Sequence, residues 1–289
     1  MNIKHLVIAG GGPTIFQSLG AIQHLEQQKF IEINNIQSIY GTSAGAIVGT
    51  LLCLKYDWDT INDYMIKRPW HEVFPINVQN IFDAYTKRGL FDIKTIEKCV
   101  KPLLDAKDLS IDINLKDFYE YSNIELHMFS LELNEFKLVD ISYKTHPDIS
   151  LIKAIQMTAS LPVILSPAVI DSKCYVDGGI ICNYPLQYCL NINKEEEVLG
   201  FKNHYNSYNN NKIDSSSTLL DYVMHFIFKI IYSLSTDDVQ PKIKNEVICN
   251  SNLMNLENLK NSLKSIETRK ELLNNGIESA THFLSNIQT

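Results

Sequence analysis

The sequence predicts an α/β fold built on a mostly parallel sheet. Three observations lead there. Two strand–turn–helix units open the chain, short apolar strands then alternate with helical stretches, and glycine-bearing turns stand where strands end. In the first unit an apolar strand over residues 4–9 meets Gly10, Gly11 and Gly12. A helix over 14–29 follows, with Ile15, Leu19, Ile22 and Leu25 at helical spacing. In the second, a strand over 36–40 ends in GTSAG and passes into an apolar helix over 46–55.

Residues 57–110 read as helices and loops. Two strands, 126–133 and 136–142, flank a turn at Asn134. Ser150 suits the cap of a helix running to Ser160, and Pro162 marks its end. Residues 163–170 and 174–176 are extended, the second stretch leading into Asp177-Gly178-Gly179, and 198–201 is another short strand. KNHYNSYNNNKIDSSST, residues 202–218, is polar and reads as a solvent loop. Beyond it come a very apolar helix over 219–234, a strand near 247–249 and a helix from Leu256. No composition break divides the chain. One domain over 1–289 is expected, with its motifs in 3–201, the polar loop at 202–218 and a C-terminal helical segment at 219–289.

Composition narrows the function. With 26 Lys+Arg against 33 Asp+Glu, the net charge is −7, a poor match for nucleic acid, which is bound through cations on phosphates. The six cysteines form no Cys-x-x-Cys pair, so reduced, buried thiols are expected and neither a zinc site nor another metal or cofactor is indicated. The apolar residues 6–9 are too few for a signal peptide and no apolar run reaches the roughly 18 residues of a membrane span, which predicts a cytoplasmic protein without a transmembrane segment.

GTSAG, residues 41–45, fits Gly-x-Ser-x-Gly. That spacing puts Ser43 on a sharp turn with its Oγ above the sheet. Small residues at Gly41 and Gly45 let strand and helix pass closely, and the helix behind Ser43 offers free N–H groups to a developing anion. The pentapeptide equally suits a tight strand–helix turn. The Gly10–Gly12 run can aim backbone N–H groups at an anion, so Gly11, Gly12 and Ala44 are oxyanion-hole candidates. A nucleotide phosphate loop is the competing use. Gly-x-Gly-x-x-Gly fails at Ile15, and no Gly-Lys-Ser/Thr follows. Asp177, at a strand end before Gly178 and Gly179, is placed to reach a nucleophile on a neighbouring strand, although Asp-Gly is also a plain turn signal.

These three elements in this order resemble the patatin-like phospholipase family, with GGGPT, GTSAG and DGG at the family's places. RGLFD at 88–92, ASLP at 159–162, NYP at 183–185 and LLNNGIESA near the end resemble it too, so the likeness covers roughly residues 3–285. The resemblance implies a three-layer α/β/α fold and a Ser43–Asp177 dyad without histidine. It also implies a lipid substrate met at membrane or micelle surfaces, and hence peripheral membrane contact. The chain departs from the family at 13–15. Pro13 has no N–H, and Thr14 and Ile15 stand where the family carries Arg or Lys and then Gly, leaving the hole to Gly11, Gly12 and Ala44.

Three questions stay open at this level. A Ser–Asp–His triad would draw on His204, His225 or His282. Helix 219–234 carries one polar stripe, Asp221, His225, Lys229 and Ser233, and suits either a core helix with a wet edge or a lipid-facing flap. The departures at Thr14 and Ile15 also admit a catalytically weak lipid-binding or interaction protein that keeps the fold.

Overall fold

A computed structural model describes residues 2–75, 78–205, 212–234, 241–251 and 256–287. Its central sheet grows outward from β1 (His5–Ile8), which pairs in parallel with β2 (Ser38–Thr42) and β9 (Val198–Tyr205). Beyond them, parallel pairing continues to β4 (Glu125–Glu132) on one side and β10 (Glu246–Ser251) on the other. Three antiparallel strands finish the β4 end: β5 (Lys137–Ile141), β7 (Ala168–Ile170) and β8 (Lys173–Asp177). The expected mostly parallel sheet is thus present, with a mixed margin.

Both faces of β1 are buried, and its alternation sorts them. Leu6 and Ile8 join the larger core, Val7 and Ala9 the smaller one. Helices α1 (Ile15–Gln27) and α2 (Ala44–Cys53) pack on the larger side. The other face is covered more thinly, by the short helix Leu186–Leu190 and residues such as Tyr184 and Ile243. Helices α3 (Val78–Lys87), α4 (Ile93–Asp105) and α5 (Leu151–Ala159) follow, and two-stranded pairing of β3 (Gly89–Phe91) with β6 (Val163–Leu165) lies outside the main sheet.

The C-terminal third holds α6 (Leu219–Leu234), α7 (Leu256–Lys264) and α8 (Ile266–Ile287) around β10. Helices α1 and α8 touch backbone to backbone. A Cβ on Gly20 would stand 2.1 Å from the Leu273 carbonyl oxygen, and one on Gly276 would stand 2.0 Å from that of Gln17. The Gln17 side chain also donates to the Asn250 carbonyl at 2.9 Å and accepts from Ser251 Oγ at 2.6 Å, tying α1 to β10.

Three expectations are corrected here. Residues 163–170 form two strands in different sheets rather than one extended run. The polar stretch 202–218 is not a loop from its start, because β9 continues to Tyr205, held by β10 over Gly200 to Tyr205. Residues 206–211 of that stretch lie outside the described residues. The strand expected near 247–249 is present as β10, whereas the single helix expected from Leu256 breaks into α7 and α8.

Candidate active site

The strand β2 ends at Thr42 and α2 begins at Ala44, leaving Ser43 to make the whole turn. Its backbone sits at φ 53° and ψ −120°, a left-handed region that costs a non-glycine residue about 1–3 kcal/mol. Neighbours hold it there. The Ser43 N–H donates to Thr158 Oγ1 at 3.0 Å, and that hydroxyl donates onward to the Phe129 carbonyl at 2.6 Å. The close strand–helix approach depends on Gly45, whose Cβ would fall 2.1 Å from the Ile8 carbonyl oxygen. Gly10, Gly41, Gly178 and Gly179 are also closely packed, each with a neighbouring atom within 3 Å of where a Cβ would stand.

Asp177 comes to Ser43 through the pairing of β4. Strand β5 lines one edge of β4 from Met128 to Glu132. The other edge is shared end to end: β2 occupies it up to Phe129, opposite Thr42, and β8 takes over at Ser130, opposite Asp177. Two strands running toward each other therefore bring their C-terminal ends together. Ser43 Oγ donates to Asp177 Oδ2 at 2.6 Å, and the Gly179 N–H donates to Oδ1 at 2.7 Å. Asp177 is only 4 % exposed, and burial pushes its carboxyl up to about 6 from the usual 3.8, held back by the Ser43 hydroxyl and the Gly179 N–H. A carboxylate with that proton affinity can take a proton from a bonded hydroxyl and return it.

The glycine turn faces the same space. Gly11, Gly12 and Ala44 line a cavity together with Ser43 and Asp177. No hydrogen bond within the described residues uses the N–H of Gly11, Gly12 or Ala44, and Ala44 opens α2, where the helix dipole favours negative charge. Thr14, at the family's cation position, is buried and accepts from Asn203 Nδ2 at 3.1 Å.

The cavity encloses about 290 Å³ and its walls are overwhelmingly apolar, with Phe16, Leu51, Trp70, Phe91 and Leu103 among them. Phe228 and Ile231 of α6 and Leu259 of α7 form part of the wall. Among the described residues no histidine lines it. His204 is exposed on β9, His282 is exposed on α8, and His225 is half-buried on α6. The described residues hold no cluster of three or more His, Cys, Asp or Glu side chains fit for a metal, and no helix among them is long and apolar enough to cross a membrane. All six cysteines are free thiols; Cys53, Cys189 and Cys249 are buried as expected, whereas Cys99, Cys174 and Cys182 are only half-buried.

Every candidate read from the motifs thus gathers at one place: Ser43, Asp177, Gly11, Gly12 and Ala44. Sequence reasoning missed Thr158, which fixes the Ser43 turn, and Asn203, which lay inside the stretch read as a loop. Neither residue carries a local motif; only strand pairing and helix packing bring them in.

The family model described as patatin-like phospholipase matches residues 6–190. A probable lipid hydrolase of Invertebrate iridescent virus 6 is 26 % identical over 216 residues, 72 % of either chain. The uncharacterized protein YqhO of Bacillus subtilis is 24 % identical over 211 residues, 67 % of this chain and 69 % of its own. Among solved structures, VipD from Legionella pneumophila superposes with a TM-score of 0.61 at 17 % identity, over 99 % of this chain and 67 % of that one, a likeness of fold alone.

Proposed function

The chain belongs to the patatin-like phospholipase family, and from that premise we propose that it is a serine acyl hydrolase cleaving carboxylic ester bonds of lipids, with Ser43 as nucleophile and Asp177 as its base. The observation that carries the reading is the 2.6 Å hydrogen bond from Ser43 Oγ to a buried carboxylate at the edge of an apolar cavity.

Asp177 takes the Ser43 proton as Oγ adds to the ester carbonyl. The negative charge passes to the carbonyl oxygen, which the N–H groups of Gly11, Gly12 and Ala44 hold. The tetrahedral adduct collapses, the C–O bond to the alcohol breaks, and Asp177 gives its proton to the departing alkoxide. Water then adds to the acyl carbonyl and gives its proton to Asp177; the adduct collapses, the bond from the acyl carbon to Ser43 Oγ breaks, Asp177 returns the proton to Oγ, and the fatty acid leaves. The apolar cavity suits the acyl chain, whose burial is favourable by about 0.8 kcal/mol per CH₂.

The substrate is met at a lipid surface in this reading. Helix α6 turns Phe228 and Ile231 inward to the cavity and leaves Leu219, Tyr222 and Phe226 exposed on its outer side. Across the β3–β6 pair, against which both helices pack, α3 exposes Phe82 at 73 % and Tyr85 at 92 %. Large exposed apolar side chains on α6, which walls the apolar cavity, and on α3 beside the β3–β6 pair favour contact with a bilayer or micelle.

A fluorophosphonate probe tests the dyad. Wild type is expected to be labelled, Ser43→Ala not at all and Asp177→Asn far more slowly, while His204→Ala, His225→Ala and His282→Ala stay within about tenfold, as groups outside a catalytic unit do. Absence of labelling in folded wild type would shift the reading to a lipid-binding protein, and a large loss at one histidine would replace the dyad by a triad.

A further inference from the structure

The Gly10 carbonyl oxygen is an unusually crowded acceptor. Asn203 Nδ2 donates to it at 2.8 Å and Asn183 Nδ2 at 2.9 Å, while the Tyr205 hydroxyl stands 3.5 Å away. Two donors at these distances occupy both lone pairs of a carbonyl. Asn183 grips the same residue twice, since its own backbone carbonyl accepts the Gly10 N–H at 3.0 Å. Asn203 is fixed in turn, because its amide also donates to Thr14 Oγ1 at 3.1 Å. Asn203 and Tyr205 reach the site together because they are two residues apart on β9 and project from one face of it.

A peptide unit is planar and trans, so the carbonyl of Gly10 and the N–H of Gly11 point in opposite directions. Whatever anchors one aims the other. Resting on the acyl-hydrolase reading above, we infer that Asn203, braced by Thr14 and joined by Asn183, is a positioning residue for the oxyanion hole. It holds the Gly10 oxygen so that the Gly11 N–H is presented to the substrate carbonyl oxygen. Glycine flanks this peptide on both sides, so nothing in its own side chains resists a flip. The amides supply the rigidity, and donors on the carbonyl also polarise the N–H into a stronger donor. A preorganised donor is worth on the order of 10²–10³ in kcat, and one allowed to turn away forfeits part of that.

The test compares wild type with Asn203→Asp, Asn203→Ala, Thr14→Val and the Thr14→Val/Asn203→Ala pair. Rates with a soluble nitrophenyl ester are expressed per active site by fluorophosphonate titration, so that unfolded material does not count. Asn203→Asp keeps the shape but sets an anion against the Gly10 oxygen. It is expected to lower kcat about 10–100-fold with KM within about threefold, and Thr14→Val to lower kcat about two- to fivefold. An alkyl trifluoromethyl ketone, which Ser43 converts to a hemiketal oxyanion, should lose affinity by the same factor as kcat. The matching secondary alcohol, which forms no oxyanion, should bind unchanged. Adding Thr14→Val to Asn203→Ala should cost nothing further, because both act through one bond. Unchanged kcat and trifluoromethyl ketone affinity in Asn203→Asp, or equal loss for ketone and alcohol, would overturn the inference while leaving the dyad standing. A wild type that neither labels nor hydrolyses would overturn the functional reading and the inference with it.

Discussion

Asp177→Asn should make the protein more stable as it makes it inactive, and the gain should depend on pH. Burial raises the Asp177 carboxyl from 3.8 to about 6 in the folded chain. Between pH 4 and 6 the folded state therefore keeps a proton that the unfolded state has lost, and stability falls as pH rises through that window. The shift is about 2 units at about 1.4 kcal/mol each, so ionised Asp177 costs the fold on the order of 3 kcal/mol at pH 7, and nothing below pH 4. Asparagine carries no such charge. It gives up part of the Ser43 and Gly179 hydrogen bonding, a roughly pH-independent loss of about 1 kcal/mol. Urea unfolding of both proteins at half-unit steps from pH 4 to 8 isolates the difference, since other titrating groups cancel. The variant's advantage should climb by about 3 kcal/mol between pH 4 and 7 and then level off. A difference flat in pH would refute the argument, because the carboxyl would then not be titrating against its burial.

The same group sets an acid limit on rate. kcat/KM on a soluble ester should fall tenfold per unit below an apparent pKa near 6, read from a pH profile, rather than near 3.8. Gly45→Ala drives a methyl to 2.1 Å from the Ile8 carbonyl oxygen and should cost about 2–3 kcal/mol in urea unfolding and remove probe labelling. Tyr222→Asp with Phe226→Asp alters the exposed side of α6 without touching the cavity wall. Hydrolysis of vesicle lipid should drop about tenfold or more while soluble-ester turnover holds, since each charge is driven out of the acyl boundary. Equal rates on both substrates would remove α6 from the lipid surface.

What the sequence made legible was local. Strand β1, strand β2 and helix α2 announce themselves through apolar runs broken by glycine, and Ser43 through its pentapeptide. Asp177 was legible only as a carboxylate at a strand end. Its arrival at Ser43 depends on β2 and β8 dividing one edge of β4, a relation between segments some 130 residues apart. Asn203 was hidden by composition. KNHYNSYNNNK reads as solvent-loving, yet its first residues are drawn into the sheet by β10, whose partner residues come more than 40 positions later. The resemblance to known motifs pointed to Ser43 and Asp177, the proposed nucleophile and base, while the amides that brace the glycine turn emerge only from the fold.

The backbone contact of α1 with α8 has a consequence for how the protein is made. Translation proceeds at about 5–20 residues per second, so roughly ten to fifty seconds separate the appearance of α1 from that of α8. Throughout that interval the Gly20 side of α1 has no partner, and for most of it the β10 carbonyl that will receive Gln17 and the strand that will pair with Asn203 have yet to be made. The Ser43 turn is synthesised more than 220 residues before the first residue of α8, the helix whose packing completes its surroundings. Ribosome-bound fragments ending before α8 are accordingly expected to be chaperone clients that no fluorophosphonate labels. Probe labelling would then begin only once α8 has emerged.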